Sequence, residues 1–343
     1  LAARHGEELL FNRWQKGQNA VEAGRSKRPH AFLIPREGQR DAAAVHRLLT
    51  LLAFHRIEVD EVEGLGAKGQ QLRGVKDPVT VHDGDWLVRM DQPHRNFAKT
   101  LLLPQPFPKS AADNQKPYDD VAWSLDYMLG VTVTPVDDPA ALGLAGRRLS
   151  AVPELPGTVE AGSRWIIEHR GQAALASLRW ALPEGAEVLA LREPWQGHGV
   201  GSLVIAGVGR DQLAAAVEPL HLHAVAIAEA PPTAATVAVN RPRVALFHSW
   251  RYTQDSGWLR FTLEQLQIPY TLIDKDDLRQ GDLRNQYDLI LIPSMGDMSF
   301  RDLVHGIDRK WSPLAYTQTA EYPSHGVIDS SPDITGGMGF EGL

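Results

Sequence analysis

Apolar positions along the chain switch repeatedly between helical and strand spacing. Leu9, Leu10, Trp14 and Val21 recur at near-helical intervals with polar residues between them, and Gly24 closes the run. This pattern predicts a terminal helix, over residues 1–30, belonging to whatever precedes it. Ala31–Pro35 is a short apolar strand, Val45, Leu48, Leu49 and Leu52 share a helical face within 40–55, and Ile57 to Val62 alternates as a strand. The three together predict a βαβ unit. After a Gly-rich loop at 64–70 come a strand at Asp85–Met90, helical segments near 94–103 and 119–129, and a strand at Val131–Val136. The first α/β domain is therefore expected over 31–140.

Residues 141–230 repeat the alternation on a smaller scale. Strands are expected at Trp165–Glu168, Glu187–Leu191, Leu203–Ala206 and Ala224–Ala228, with helices around Ala173–Leu182 and Asp211–Val217. The stretch 231–242 is rich in Pro, Ala and Thr, the composition of a linker. Beyond it Val244–Phe247, Tyr270–Ile273 and Leu289–Ile292 read as apolar strands, with an amphipathic helix at Gly257–Leu266. Alternating apolar strands and helices predict an α/β protein of two or more domains with mainly parallel sheets. The last domain, 243–343, is expected to be doubly wound, amidotransferase-like or flavodoxin-like, and truncated.

Composition narrows the function classes. With 35 Lys+Arg against 42 Asp+Glu, the chain lacks the basic surplus that a row of phosphates requires, so nucleic acid is not an expected partner. No apolar run approaches the roughly 20 residues needed to cross a bilayer, so no membrane span is expected. The absence of cysteine removes disulfides, thiolate nucleophiles and thiolate-bound metal from these 343 residues. The chain begins at Leu1 and closes on Gly336-Gly337-Met338-Gly339, a turn that leads toward a helix. Both ends read as cut, with further sequence expected on either side.

Candidate chemistry is sparse. In a doubly wound sheet ligands sit beyond the carboxyl ends of the strands, which singles out Ser249, Trp250 and Ser294 as pocket candidates. Ser294 lies in Pro-Ser-Met-Gly, not in G-x-S-x-G, and no His and acid can be assigned to it. A zinc peptidase needs three protein ligands, often beginning with His-x-x-Glu. The string occurs as His5 to Glu8 and as His55 to Glu58, where composition alone gives roughly one copy. His221 and His223 fall at strand period, but a third ligand is not evident, so surface histidines are the expectation. Gly197–Gly201, Gly207–Gly209 and Gly336–Gly342 do not match the phosphate-cradling loop and read as turns. Adjacent acids, Asp119-Asp120 beside Tyr118 and Trp123, and Asp137-Asp138, read as helix or turn caps.

Longer strings carry a resemblance. Ala31-Phe32-Leu33-Ile34-Pro35 with Gln39-Arg40-Asp41, Arg89-Met90-Asp91-Gln92-Pro93 with Arg95-Asn96-Phe97-Ala98, and Tyr118 through Leu125 followed by Met128-Leu129-Gly130-Val131 are similar to the region beyond the catalytic domain of bacterial carboxypeptidase A-like zinc metallopeptidases. The likeness continues through Arg243-Val244-Ala245-Leu246, Ser249-Trp250, Gly257-Trp258, Tyr287-Asp288 and the terminal Gly-Gly-Met-Gly, and is thinnest from about 141 to 240. It implies that zinc, its ligands and the catalytic Glu belong to residues upstream of Leu1, with no catalytic or metal residue within this segment. It further implies a peptide substrate for the full-length protein, secretion or a periplasmic location, and a last domain similar to class I glutamine amidotransferases. Two alternatives stay open. One is a small-molecule or glycan binding module with Trp250 and Trp258 as stacking faces, although core packing is the expectation for either Trp. The other is an amidotransferase-like hydrolase whose nucleophile lies beyond Leu343.

Overall fold

The computed structural model describes residues 4–104, 124–249, 252–296, 299–306 and 337–343. The chain divides into two compact units, Leu1–Glu160 with Glu168–Gln172 and Val217–Val225, and Ala161–Ile167 with Ala173–Ala216 and Ala226–Leu343.

In the first unit helix α1 (Gly6–Ser26) precedes strand β1 (Ala31–Ile34), helix α2 (Ala42–Phe54) and strand β2 (Asp60–Val62). A hairpin of β3 (Gln70–Leu72) and β4 (Val79–Val81) follows, then β5 (Trp86–Arg89), α3 (Arg95–Leu102), α4 (Leu125–Leu129), β6 (Thr134–Val136) and β7 (Gly146–Arg148). Asp41 starts α2 by accepting the Ala43 N–H at 2.9 Å, which satisfies one of the donors a helix start leaves over.

The main sheet has the order β6-β1-β5-β2-β7, and every neighbouring pair is antiparallel. This corrects the expected parallel arrangement. Strands β1 and β2 do point the same way across α2, because both oppose β5, but β5 lies between them. The parallel expectation rests on apolar strands alternating with helices, of which β1 is one unbroken apolar run. That run reports burial on both faces, not strand direction. Phe32, Ile34, Trp86 and Val88 pack against Leu48, Leu49 and Leu52 of α2 and Ala98 and Leu102 of α3. Ala31, Leu33 and Leu87 face the opposite way, onto Leu72 and Val81 of the hairpin and Val136.

Further along are β8 (Thr158–Val159), β9 (Trp165–Ile167), α5 (Leu175–Ala181), β10 (Glu187–Leu191), β11 (Leu203–Ala206), α6 (Arg210–Val217), β12 (His223–Ala226) and β13 (Thr236–Ala238). The elements fall where the apolar pattern placed them, but β13-β10-β11-β9 pair antiparallel. Strand β13 comes from the stretch expected as a linker, and sets Val237 opposite Ala190. A short parallel pair joins β8 to β12.

In the last part of the second unit the described strands pair in parallel. Strand β14 (Val244–Phe247), α7 (Gln254–Gln265), β15 (Thr271–Ile273), α8 (Lys275–Gln280), α9 (Leu283–Gln286), β16 (Leu289–Leu291) and α10 (Phe300–His305) follow in turn. The strand order is β15-β14-β16, with Ala245 opposite both Thr271 and Ile290. Ala245 and Phe247 bury one face against Leu278 of α8 and Val304 of α10. Leu246 buries the other against Leu263 and Ile268, with Leu259 and Trp180 beside them. Trp258, expected in a core, is 63% exposed. Leu259 and Leu263 occupy the inward stripe of α7, with Leu266 just past its end, and one residue before Leu259 lies about 100° around the helix.

Candidate functional site

The chain leaves the central strand β14 toward β15 on one side and returns to β16 on the other. The loops after β14 and β16 therefore diverge from adjacent strands, and the ground between them is where such sheets leave a crevice.

The first loop begins with His248, 9% exposed, whose backbone N–H donates to Ile273 O at 2.8 Å and extends the β14–β15 ladder. Its Nδ1 lies 2.9 Å from the Oγ of Ser256, which is 1% exposed on α7. A buried imidazole needs a partner for each polar nitrogen, and this hydroxyl supplies one while fixing the ring plane. Ser249 follows, half-buried, and its carbonyl accepts the Tyr252 N–H at 3.3 Å.

The second loop leaves β16 through buried Pro293 to exposed Ser294. The Ser294 Oγ accepts the Gly296 N–H at 3.4 Å. Gly296 has φ +57°, and a Cβ there would stand 1.9 Å from Cζ of Tyr252. The hydroxyl end of the Tyr252 ring thus lies against a backbone that only glycine leaves open, and it joins the two loops.

Ser249 and Ser294 occupy the two loops as expected, while Trp250 lies outside the described residues. Tyr252 and Ser256 were missed, as was the close approach of Tyr252 to Gly296. The His248–Ser256 contact spans eight residues from a strand end into a helix, and no short motif marks it. The two loops bring the hydroxyls of Ser249, Tyr252 and Ser294 to this end of the sheet, groups suited to hydrogen bonding a neutral polar ligand. Ser256 is within proton-transfer distance of an imidazole, but its near-complete burial makes it a support for His248 and not a nucleophile.

The other candidates separate. His5 Nδ1 meets Glu8 at 3.1 Å on the exposed start of α1. His55 is held edge-on between Phe54 and Phe97, with ring centroids 5.1 and 4.9 Å away, while Glu58 pairs with Arg148 at 2.7 Å. His221 stacks on His46 at 5.2 Å, and His223 turns instead to the Thr158 hydroxyl at 2.9 Å. His221 has φ +55° and precedes β12, so the strand period does not apply to the pair. Asp138 caps the turn at Pro139–Gly143, and the N–H groups of Ala140 and then Arg73 hold its carboxyl below the usual range. Asp119, Asp120 and Trp123 lie outside the described residues. Among the described residues no three His, Asp or Glu side chains converge as a metal site would require. No helix among them is long and apolar enough to cross a membrane.

Comparison of the chain with family models, with curated proteins and with solved structures finds no match.

Proposed function

We propose that this chain is the accessory, non-catalytic part of a zinc metallocarboxypeptidase, following the peptidase domain and ending in a doubly wound, amidotransferase-like domain. In this reading zinc and the peptide-cleaving groups belong to residues before Leu1, the full-length protein removes C-terminal residues from peptides outside the cytoplasm, and the segment positions or binds. The observation that carries it is the parallel order β15-β14-β16 with an apolar core on each face, set behind the long strings that resemble the family.

A peptide with a free C-terminus incubated with residues 1–343 alone is expected to stay intact. The same chain extended at its N-terminus by the preceding domain is expected to shorten it. Cleavage by the segment alone would overturn the accessory reading.

A second reading has one specific observation in its favour. The His248–Ser256 pair and the Tyr252–Gly296 contact fix the loops that carry Ser249 and Ser294, which supports a module binding a small polar molecule between them. Substituting Ser294 by Trp would then abolish that binding and leave any peptidase activity of the extended chain unchanged.

A further inference from the structure

The first unit contains a cavity of about 380 Å³ away from the β14–β16 crevice, between the end of α2, the start of β2 and the segment after β7. Its apolar lining is Leu49 of α2, Ile57 and Val59 of the segment between α2 and β2, and Val152, which packs against the cluster that contains all three. Its polar lining includes the Arg56 guanidinium and the His94 imidazole. The lining acid, Glu58, is engaged by Arg148 at 2.7 Å, and Arg148 also holds Asp60 through Nε at 2.5 Å. Arg56 has no carboxylate within ion-pair distance among the described residues. Beyond Pro93 and His94 a second hollow carries Arg13 and Lys16 and no acid. This cationic concentration stands out in a chain of net charge −7.

The backbone at Arg56 supplies an independent observation. Helix α2 ends in a Schellman motif: the Arg56 N–H donates to Ala53 O at 3.0 Å and the Ile57 N–H to Leu52 O at 2.9 Å. The motif puts Arg56 at φ +59°, the left-handed position that glycine fills at least cost. An arginine there accepts backbone strain and places a guanidinium at the mouth of an apolar cavity. The same cap closes α7 at Gln267, φ +54°, so what sets Arg56 apart is the charge that it brings to the lining of a ligand-sized cavity.

We infer that this cavity binds a small amphipathic carboxylate, its apolar body on Leu49, Ile57, Val59 and Val152 and its carboxylate on Arg56. The source is either a free organic acid or the C-terminal residue of a peptide. The inference is independent of the peptidase reading, since it concerns binding by this chain alone. Titration calorimetry with N-acetyl-leucine and with a short peptide ending in Leu separates the sources, and the corresponding amides serve as controls. The acid is expected to bind at least ten-fold more tightly than its amide, and binding of the peptide as well as the acid identifies the C-terminal residue as the natural source.

Arg56→Gly separates binding from folding, because it removes the guanidinium and relieves the strain. It is expected to raise the thermal midpoint and to weaken acid binding at least ten-fold. Ser150→Glu, which places a carboxylate on the rim, should weaken it likewise. No measurable binding of either acid probe, equal binding of acid and amide, or undiminished binding in Arg56→Gly would overturn the proposal.

Discussion

Glycine in a helix is ordinarily a weakness, and α1 contains two that make opposite predictions. At Gly17 a Cβ would find Pro93 at 3.7 Å, an ordinary contact. At Gly24 it would stand 1.8 Å from the carbonyl oxygen of Met90, a backbone atom that cannot swing aside. Gly17→Ala should therefore stabilise the protein by roughly 0.5–1 kcal/mol through helix propensity alone. Gly24→Ala should destabilise it by about 1–3 kcal/mol, because the helix must lift off the sheet. Urea unfolding of the two variants checks both signs. From the sequence Gly24 reads as the end of the helix, yet α1 continues to Ser26. A close tertiary approach has no local signature, which is also why the contact between Gly296 and Tyr252 was not foreseen.

Individual elements were far more legible than their pairing. The apolar stripe Val45, Leu48, Leu49, Leu52 and the strands at Trp165, Glu187 and Leu203 emerge where periodicity placed them. Strand direction does not, because inward and outward alternation is the same in both ladders and only the path of the chain distinguishes them. The short β13 was hidden by the Pro- and Ala-rich composition around it, and its pairing with β10 is a long-range event. At β16 the element is tied in place by charge. Arg243, just before β14, grips Asp288, just before β16, through Nη2 at 2.9 Å and Nε at 3.1 Å, and its backbone N–H adds a bond of 2.7 Å. Those side-chain bonds first, and the backbone bond next, hold the Asp288 carboxyl down at about 2. An unfolded Asp titrates near 3.9. Since the folded value is the lower one, the stabilisation is complete above about pH 4 and is lost as pH falls through about 2. Asp288→Asn should therefore lower the thermal midpoint at pH 7, and the gap from the parent should close as melts are repeated toward pH 2. A gap that is constant with pH would remove the ion pair from the account of this sheet.

At the scale of the whole molecule the two units differ in how they are covered. The first encloses an antiparallel sheet between α2 and α3 on one face and a hairpin on the other, and the second ends in three parallel strands with helices on both faces. The candidate crevice was legible to the extent that Ser249 and Ser294 follow apolar strands, since strand ends can be read from sequence. Its supporting residues, His248 against Ser256 and Tyr252 against Gly296, depend on how helix and loops pack above the sheet. The proposal that the chain is an accessory to a zinc peptidase turns on metal content. Zinc per chain, measured by atomic emission on residues 1–343 purified without chelator, is predicted to be far below stoichiometric, while the chain extended through the preceding domain should hold one zinc that dipicolinate removes together with peptidase activity. One tightly held zinc per chain in residues 1–343, accompanied by release of C-terminal residues from a peptide, would contradict the account.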